Sequence, residues 1–471
     1  MTANRPMVDQ ALDALAWLVS RGLFRTVDVT GAQRIPADQP RIVVANHFNG
    51  LVDAVLLAVI VRGLPRFVAK ATLWRSPLLR PLLAVAGLVP VSRPEDHGGG
   101  EVDNAALFGR AHRLLERGAT IAIFPEGTTH DHLELQRVRT GAARIALGAH
   151  DAGVERVVIV PIGLTFDDKL ALRSRVLARV GQPIDVDRWI VRNGAADRTG
   201  DGRPPAADRG GDADPPAADG DGGSDVDDHD LARALTATVR RRLAETTPRY
   251  ADVLDRAMLS RAADVRLRTD LERPDRIVPL ASREGLAQAI ADAPDAARRD
   301  VLDALGTYQV QLDLLRLRDE QLVPRVNATW LLRRALGLTA YLTVLGIVMV
   351  FGIMVNIVPT VLTALAGRRP EAPVTKGTVR VLTALLVFPL TWIVLAVLAP
   401  VDGFLPTSAV VVACPIAGGV AVGGLERAVA LVRAWTGWLG LRNARGLLDR
   451  IHATRRRVCE AVDIAAAQRL G

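Results

Sequence analysis

The chain is poor in cysteine, poor in aromatic residues and without a secretory start, and each shortage removes a class of protein. Its two cysteines, Cys414 and Cys459, stand in no paired or metal-like spacing. Neither a disulfide framework nor a structural zinc site is expected, and a reduced compartment fits. Aromatics make up 4% of the residues, which leaves little to stack on bases. Arg and Lys are interleaved with acids instead of lining one stripe, so the net charge of +8 points to an anionic lipid surface or a phosphorylated ligand before nucleic acid. The first residues carry Asp9 and Asp13 and lack a basic start, a long apolar run and a small-residue cleavage site, so no secretory signal is expected. A Gly-x-Ser-x-Gly elbow, a P-loop and a dinucleotide fingerprint at a strand-to-helix junction are also missing. His130-Asp131-His132 is a poor metal site, because three adjacent side chains rarely converge on one ion, and it reads as a solvated loop.

What is present is length and apolar residue. A chain of 471 residues predicts two or three structural units. The hydrophobic fraction of 49% is high for a soluble protein and is concentrated near the C-terminus. Residues Val8 to Phe24 have helical spacing, with Trp17 beside the apolar positions and Arg21 and Arg25 behind; this fits an interfacial helix on a bilayer and equally an amphipathic helix packed on its own domain. Short apolar runs then alternate with helical stretches. Arg41 to Ala45, Arg66 to Ala69, Gly87 to Val91, Thr120 to Phe124, Arg156 to Pro161 and Ser174 to Val180 read as buried strands; Val52 to Val61, Asn104 to Arg117 and Gly141 to His150 read as helices. That alternation predicts an α/β domain, a central sheet flanked by helices, over residues 1–192.

Residues 193–230 are built from Asp, Gly, Pro, Ala and Arg and cannot bury enough surface to order themselves, so a disordered linker is expected there. Residues 231–330 read as a helical extension, 331–427 as a membrane region and 428–471 as a basic helical tail with Trp435 and Trp438, suited to an anionic interface. Ala335 to Ala366 and Val381 to Pro400 are uncharged and long enough to cross a hydrocarbon core. Thr407 to Gly424 is shorter and interrupted by Pro415 and glycines, and fits a span, a re-entrant piece or a buried hairpin. Basic residues flank these stretches on every side, so the positive-inside rule assigns no topology.

Four stretches carry chemistry. In the first, a strand ends in Asn46-His47 and a helix starts near Leu51 with Asp53 in its first turn. On one continuous helix residues six apart lie about 240° around the axis and do not meet. Asn49 and Gly50 break the helix, so Asp53 can point back at the His47 ring, fix its tautomer and leave the other nitrogen to accept a proton. By itself the pair also fits a loop histidine beside an unrelated helix-capping aspartate. In the second, Ile121 to Phe124 runs into Pro125-Glu126-Gly127-Thr128, which puts Glu126 and backbone amides at a strand exit, where open α/β sheets hold ligands. Downstream, Arg137 and Arg139 are placed to lay a guanidinium over a phosphate. In the third, Gly87 to Arg93 ends a strand with a cation, as Lys70 ends the one before it. The fourth, Val160-Pro161-Ile162-Gly163-Leu164, carries a proline that predicts an edge strand or a turn.

In this order the four stretches resemble the glycerolipid acyltransferase superfamily: Asn46-His47 to Asp53 its His/Asp motif, Gly87 to Arg93 its second, Phe124 to Gly127 its third and Val160 to Ile162 its fourth. The resemblance implies that His47 is a general base oriented by Asp53, and that Arg93 with the Glu126-Gly127-Thr128 turn binds the glycerol phosphate of the acceptor. Arg139 and Lys70 are further acceptor-binding candidates. The His47 to Asp53 spacing is one residue longer than the commonest in the family and resembles a branch that acylates glycerol-3-phosphate or dihydroxyacetone phosphate and has C-terminal membrane segments. Ala372 to Thr378 and Leu386 to Leu390 look like that branch as well. The apolar stretches and the absence of a secretory signal make an integral membrane protein with its catalytic domain on the cytoplasmic side the expectation. By the resemblance it would move a fatty acyl group from acyl-CoA or acyl carrier protein, among membrane lipids and without metal or cofactor. Alternatives are acylation of 1-acylglycerol-3-phosphate to phosphatidate, a non-catalytic membrane lipid-binding protein, and a thioesterase, the last leaving the cations without a purpose.

Overall fold

The computed structural model describes residues 7–61, 63–75, 80, 83–84, 87–91, 105–132, 134–197, 223–269, 277–315, 317–322, 328–370, 372–398, 407–443 and 445–468. The chain divides into two compact units, Met1–Thr247 and Pro248–Gly471.

The first unit is a mixed sheet covered by helices. Its strands are β1 (Phe24–Thr30), β2 (Arg41–Ala45), β3 (Arg66–Lys70), β4 (Val89–Val91), β5 (Thr120–Ile123), β6 (Val158–Phe166), β7 (Ser174–Val180) and β8 (Ile184–Asp185). Their order is β1-β7-β6-β2-β5-β3-β4, with β8 also on β6. All pairs are parallel except β6 with β7 and β6 with β8. The apolar run of β2 is explained by its place between β5 and β6, where Ile42 to Ala45 are fully buried on both faces. Ile42 and Val44, alternate residues of β2, join Ile121, Ile123 and Ile159 in one cluster. Helices α3 (Ala105–Glu116), α4 (Gly141–Asp151) and α6 (Gly223–Ala244) close over it; α1 (Met7–Leu23), α2 (Leu51–Val61) and α5 (Val186–Asp197) complete the unit. Helix α1 packs on α2 and ties Asp9 to Arg66 at 2.7 Å, yet it leaves Leu15, Trp17 and Leu18 exposed, so it both packs and keeps an apolar face outside.

Three features depart from expectation. Strand β1 was not foreseen, because its apolar residues alternate with Arg25, Thr26 and Asp28 along a half-exposed edge. Pro161 lies in an interior strand, not at an edge: its missing N–H falls where β7 gives way to β8, and its carbonyl accepts the Gly181 N–H at 2.8 Å. Helices α5 and α6 enter both ends of the stretch expected to be a linker, and residues 198–222 lie outside the described residues. Helix α6 sends Ala232, Leu235 and Val239 into the sheet core, so it belongs with the α/β unit and not with the later helices.

The second unit is helical. Helices α7 (Val253–Arg268), α8 (Leu280–Ala291), α9 (Asp295–Leu314), α10 (Asp319–Leu322) and α14 (Arg445–Gln468) pack around Leu259, Leu305, Tyr308 and Val458. The stretch expected to be a basic helical tail, 428–471, is thus divided: its first part with Trp435 and Trp438 ends α13, and the rest is α14, which buries Ile451, Val458 and Val462. Helices α11 (Ala328–Ala366), α12 (Pro373–Leu398) and α13 (Thr407–Asn443) are long and apolar enough to cross a membrane. The glycine-interrupted third stretch lies inside one continuous helix despite Pro415.

Candidate active site

Strands β2 and β5 are adjacent and parallel, with Val44 opposite Ile123, so the loops leaving their C-terminal ends emerge side by side. The loop after β2 is steered by Asn46, whose buried amide accepts the Leu164 N–H at 2.7 Å and donates to the Leu164 carbonyl at 2.9 Å. His47 follows. Its Nδ1 lies 2.9 Å from Asp53 Oδ2, and the same oxygen accepts the Asn49 N–H at 2.7 Å. A break in the helix makes this possible: Gly50 is left-handed at φ +54°, and the Asp53 N–H donates to the Gly50 carbonyl at 3.2 Å. Asp53 is wholly buried and the His47 side chain is 18% exposed, so the pair joins the interior to the surface. The imidazole stacks on Phe124 at 3.9 Å and 12°.

Phe124 opens the second loop. Gly127, at φ +73°, donates to the Phe124 carbonyl at 3.1 Å, and the Arg139 N–H donates to the Pro125 carbonyl at 2.8 Å. A side chain at Gly127 would meet the Arg139 guanidine, so the absence of a Cβ lets Arg139 lie against the turn. Thr128 and Arg139 are exposed beside it. Lys70 ends β3, the other neighbour of β5, and so stands at the same edge of the sheet, half-buried. Arg93 lies outside the described residues. Among the described residues no group of three or more His, Cys, Asp or Glu side chains is placed to hold a metal ion.

Glu126, expected among the acceptor-binding groups, turns its carboxylate inward, where it is wholly buried. It accepts the His47 N–H at 2.9 Å, the Gln136 N–H at 2.9 Å and a short bond from His130 Nε2. His130 is therefore no solvated loop residue: it is buried, its N–H donates to the His47 carbonyl at 3.3 Å, and its ring meets the edge of Phe48. Asn46, Asn49 and Phe124, which the sequence offers only as parts of the motifs, also hold the site, and so does Gln136, which it does not point to. For Asn46 the signal was its position at a strand end. For Gln136 there was none, since only its main chain takes part.

Residues 26–165 match the family model described as Acyltransferase. They form a domain of that family. A stretch of 92 residues is 34% identical to glycerol-3-phosphate O-acyltransferase 1 of Saccharomyces cerevisiae, covering 19% of this chain and 12% of that protein. Another 148-residue alignment, 26% identical, matches the chloroplastic 1-acyl-sn-glycerol-3-phosphate acyltransferase LPAT1 of Arabidopsis thaliana over 31% of this chain and 38% of that one. The chain thus spans well under half the length of either relative. The crystal structure of the 1-acyl-sn-glycerophosphate acyltransferase PlsC from Thermotoga maritima aligns at a TM-score of 0.30 and 20% identity, over 41% of this chain and 81% of that one.

Proposed function

We propose that the acyltransferase domain moves a fatty acyl group from a thioester, acyl-CoA or acyl carrier protein, onto a hydroxyl of glycerol-3-phosphate or dihydroxyacetone phosphate at a membrane. The observation that carries this reading is the His47 Nδ1 to Asp53 Oδ2 contact of 2.9 Å, built on a loop that shares its sheet edge with the Gly127 turn. With Asp53 holding the Nδ1 proton, Nε2 removes the proton of the acceptor hydroxyl, a contribution of roughly 10²–10⁴-fold in rate. The hydroxyl oxygen attacks the thioester carbonyl, the C–O bond forms, the C–S bond breaks, and the proton held on His47 leaves with the thiol. Base and thioester suffice for the step. The acceptor phosphate is met by Arg93, Arg139, Lys70 and the Gly127-Thr128 turn, while the Glu126 carboxylate, committed to protein donors, stays behind that surface. Acyl thioesters are cytoplasmic, and the domain is assigned to that side.

A second acceptor, 1-acylglycerol-3-phosphate, is favoured by one observation: the match to the plant protein runs over 148 residues against 92 for the yeast one, although at lower identity. Labelled palmitoyl-CoA supplied to the detergent-solubilised chain with each of the three acceptors in parallel separates the readings. Product with either of the first two supports the primary one, product with the lysophospholipid alone the second. Folded protein that transfers to none, or His47→Ala that transfers as well as wild type, removes the mechanism.

A further inference from the structure

Acyl transfer uses His47 and Asp53 but leaves the buried pair of Glu126 and His130 without a task. A buried carboxylate is costly unless donors meet it. Glu126 has three, the main-chain N–H groups of His47 and Gln136 and the ring of His130, and only the last is a side chain. His130 also acts directly, since its own N–H donates to the His47 carbonyl at 3.3 Å. His47 is therefore gripped at its N–H through Glu126 and at its C=O by His130, both from the loop that follows β5. Phe48, next to His47, closes on the His130 ring edge-on at a centroid distance of 5.2 Å.

We propose that His130 is a positioning residue for acyl transfer: its ring keeps Glu126 on the His47 N–H, its main chain keeps the His47 carbonyl, and the two together fix the imidazole that Asp53 orients. The proposal rests on His47 being the base. Its physical content is that a tilt of the His47 main chain swings the ring away from Asp53 and from the acceptor hydroxyl, and displacement by about 1 Å is enough to cost roughly 10²-fold in rate. It also explains why a carboxylate behind a site for a phosphorylated acceptor is tolerated, since Glu126 is wholly buried and faces protein donors, not the phosphate.

The test uses the full chain in detergent with His130→Ala, His130→Phe, which keeps the ring volume against Phe48, and His130→Gln, which can restore the donor. Steady-state kinetics are paired with the rate at which diethyl pyrocarbonate modifies His47, read by peptide mass spectrometry. In the Ala and Phe variants kcat is expected to fall roughly 10- to 100-fold with KM for donor and acceptor within about threefold of wild type, and His47 modification to change severalfold. His130→Gln should recover most of both. Unchanged His47 reactivity in both the Ala and Phe variants overturns the proposal whatever the activity, as does a raised acceptor KM at unchanged kcat, which would put His130 against the acceptor. Wild-type protein that transfers to no acceptor, with His47 reactivity still answering to His130, sinks the functional reading and the role in acyl transfer with it, and leaves standing only that His130 holds His47 in place.

Discussion

Asp53 Oδ2 carries two hydrogen bonds, from the Asn49 N–H and with His47 Nδ1, and the first of them shapes the loop that makes the second possible. In Asp53→Asn an oxygen can still serve Asn49, but the carboxylate that holds the Nδ1 proton is gone. The variant should keep its melting temperature to within a few degrees while kcat falls by roughly 10²–10⁴-fold. Kinetics and a thermal melt on one preparation decide it; equal losses of fold and activity would make Asp53 a mere helix cap. A different histidine should govern acid stability. Burial lowers the His112 imidazole below its ordinary value, against the opposing pull of Asp151 and Glu116. The unfolded chain therefore takes up this proton first, and His112 contributes stability that is present above about pH 6.5 and lost as pH falls through its depressed folded value. His112→Gln should flatten the decline of the melting temperature of this unit between about pH 7 and pH 5. His47 and Asp53 were legible in the sequence because a broken helix start is a local feature. The grip of His130 on Glu126 was not: the two meet across an irregular loop, and His-Asp-His reads as polar surface until the sheet buries it.

At the scale of elements, the strands that stand out are those whose apolar residues run unbroken, β2, β5 and β6, because burial on both faces leaves no polar alternation to misread. An edge strand such as β1 has no such signature, and the position of Pro161 depends on where its partner changes from β7 to β8, which the proline itself does not reveal. Packing of the apolar helices was equally hidden. Asn356 of α11 donates to Cys414 O of α13 at 3.1 Å and accepts from Trp392 Nε1 of α12 at 3.0 Å, so one amide joins all three. Beside it, Gly352 has no room for a Cβ because the Ala417 carbonyl of α13 occupies that space, the close approach that small residues allow in apolar surroundings. Asn356→Leu is expected to lower stability in detergent by about 1–2 kcal/mol. Gly352→Leu, which forces main chains apart, should cost more. Unfolding midpoints in mixed micelles rank the two, and a Gly352 variant as stable as wild type would show that α11 and α13 do not approach this closely.

On the scale of the whole helical unit, packing limits how its apolar helices can cross a bilayer. Helices α11 and α13 run antiparallel, since Tyr341 bonds Val420 O while Asn356, further along, bonds the earlier Cys414. The last turns of α13 return to where α11 begins: Gln321 of α10, just before α11, donates to Arg433 O at 3.3 Å and lies against Gly437. Beyond α13, α14 packs on α7 and α9, with Arg455 bonded to Asp319 at 2.8 Å and Arg266 to Asp463 at 2.7 Å. Segments before the first apolar helix and after the last are therefore neighbours, and an odd number of complete crossings would separate them by a hydrocarbon core of about 30 Å. Three apolar helices with both flanks on one side require that one of them enter and leave on the same face. In membrane vesicles, single cysteines at Leu315 and Gln468, introduced after Cys414 and Cys459 are replaced, should react with an impermeant maleimide from the same side, and one at Arg369 from the other. Labelling of Leu315→Cys and Gln468→Cys from opposite sides would mean an odd number of full crossings, and would require α14 to leave the helices it packs on here.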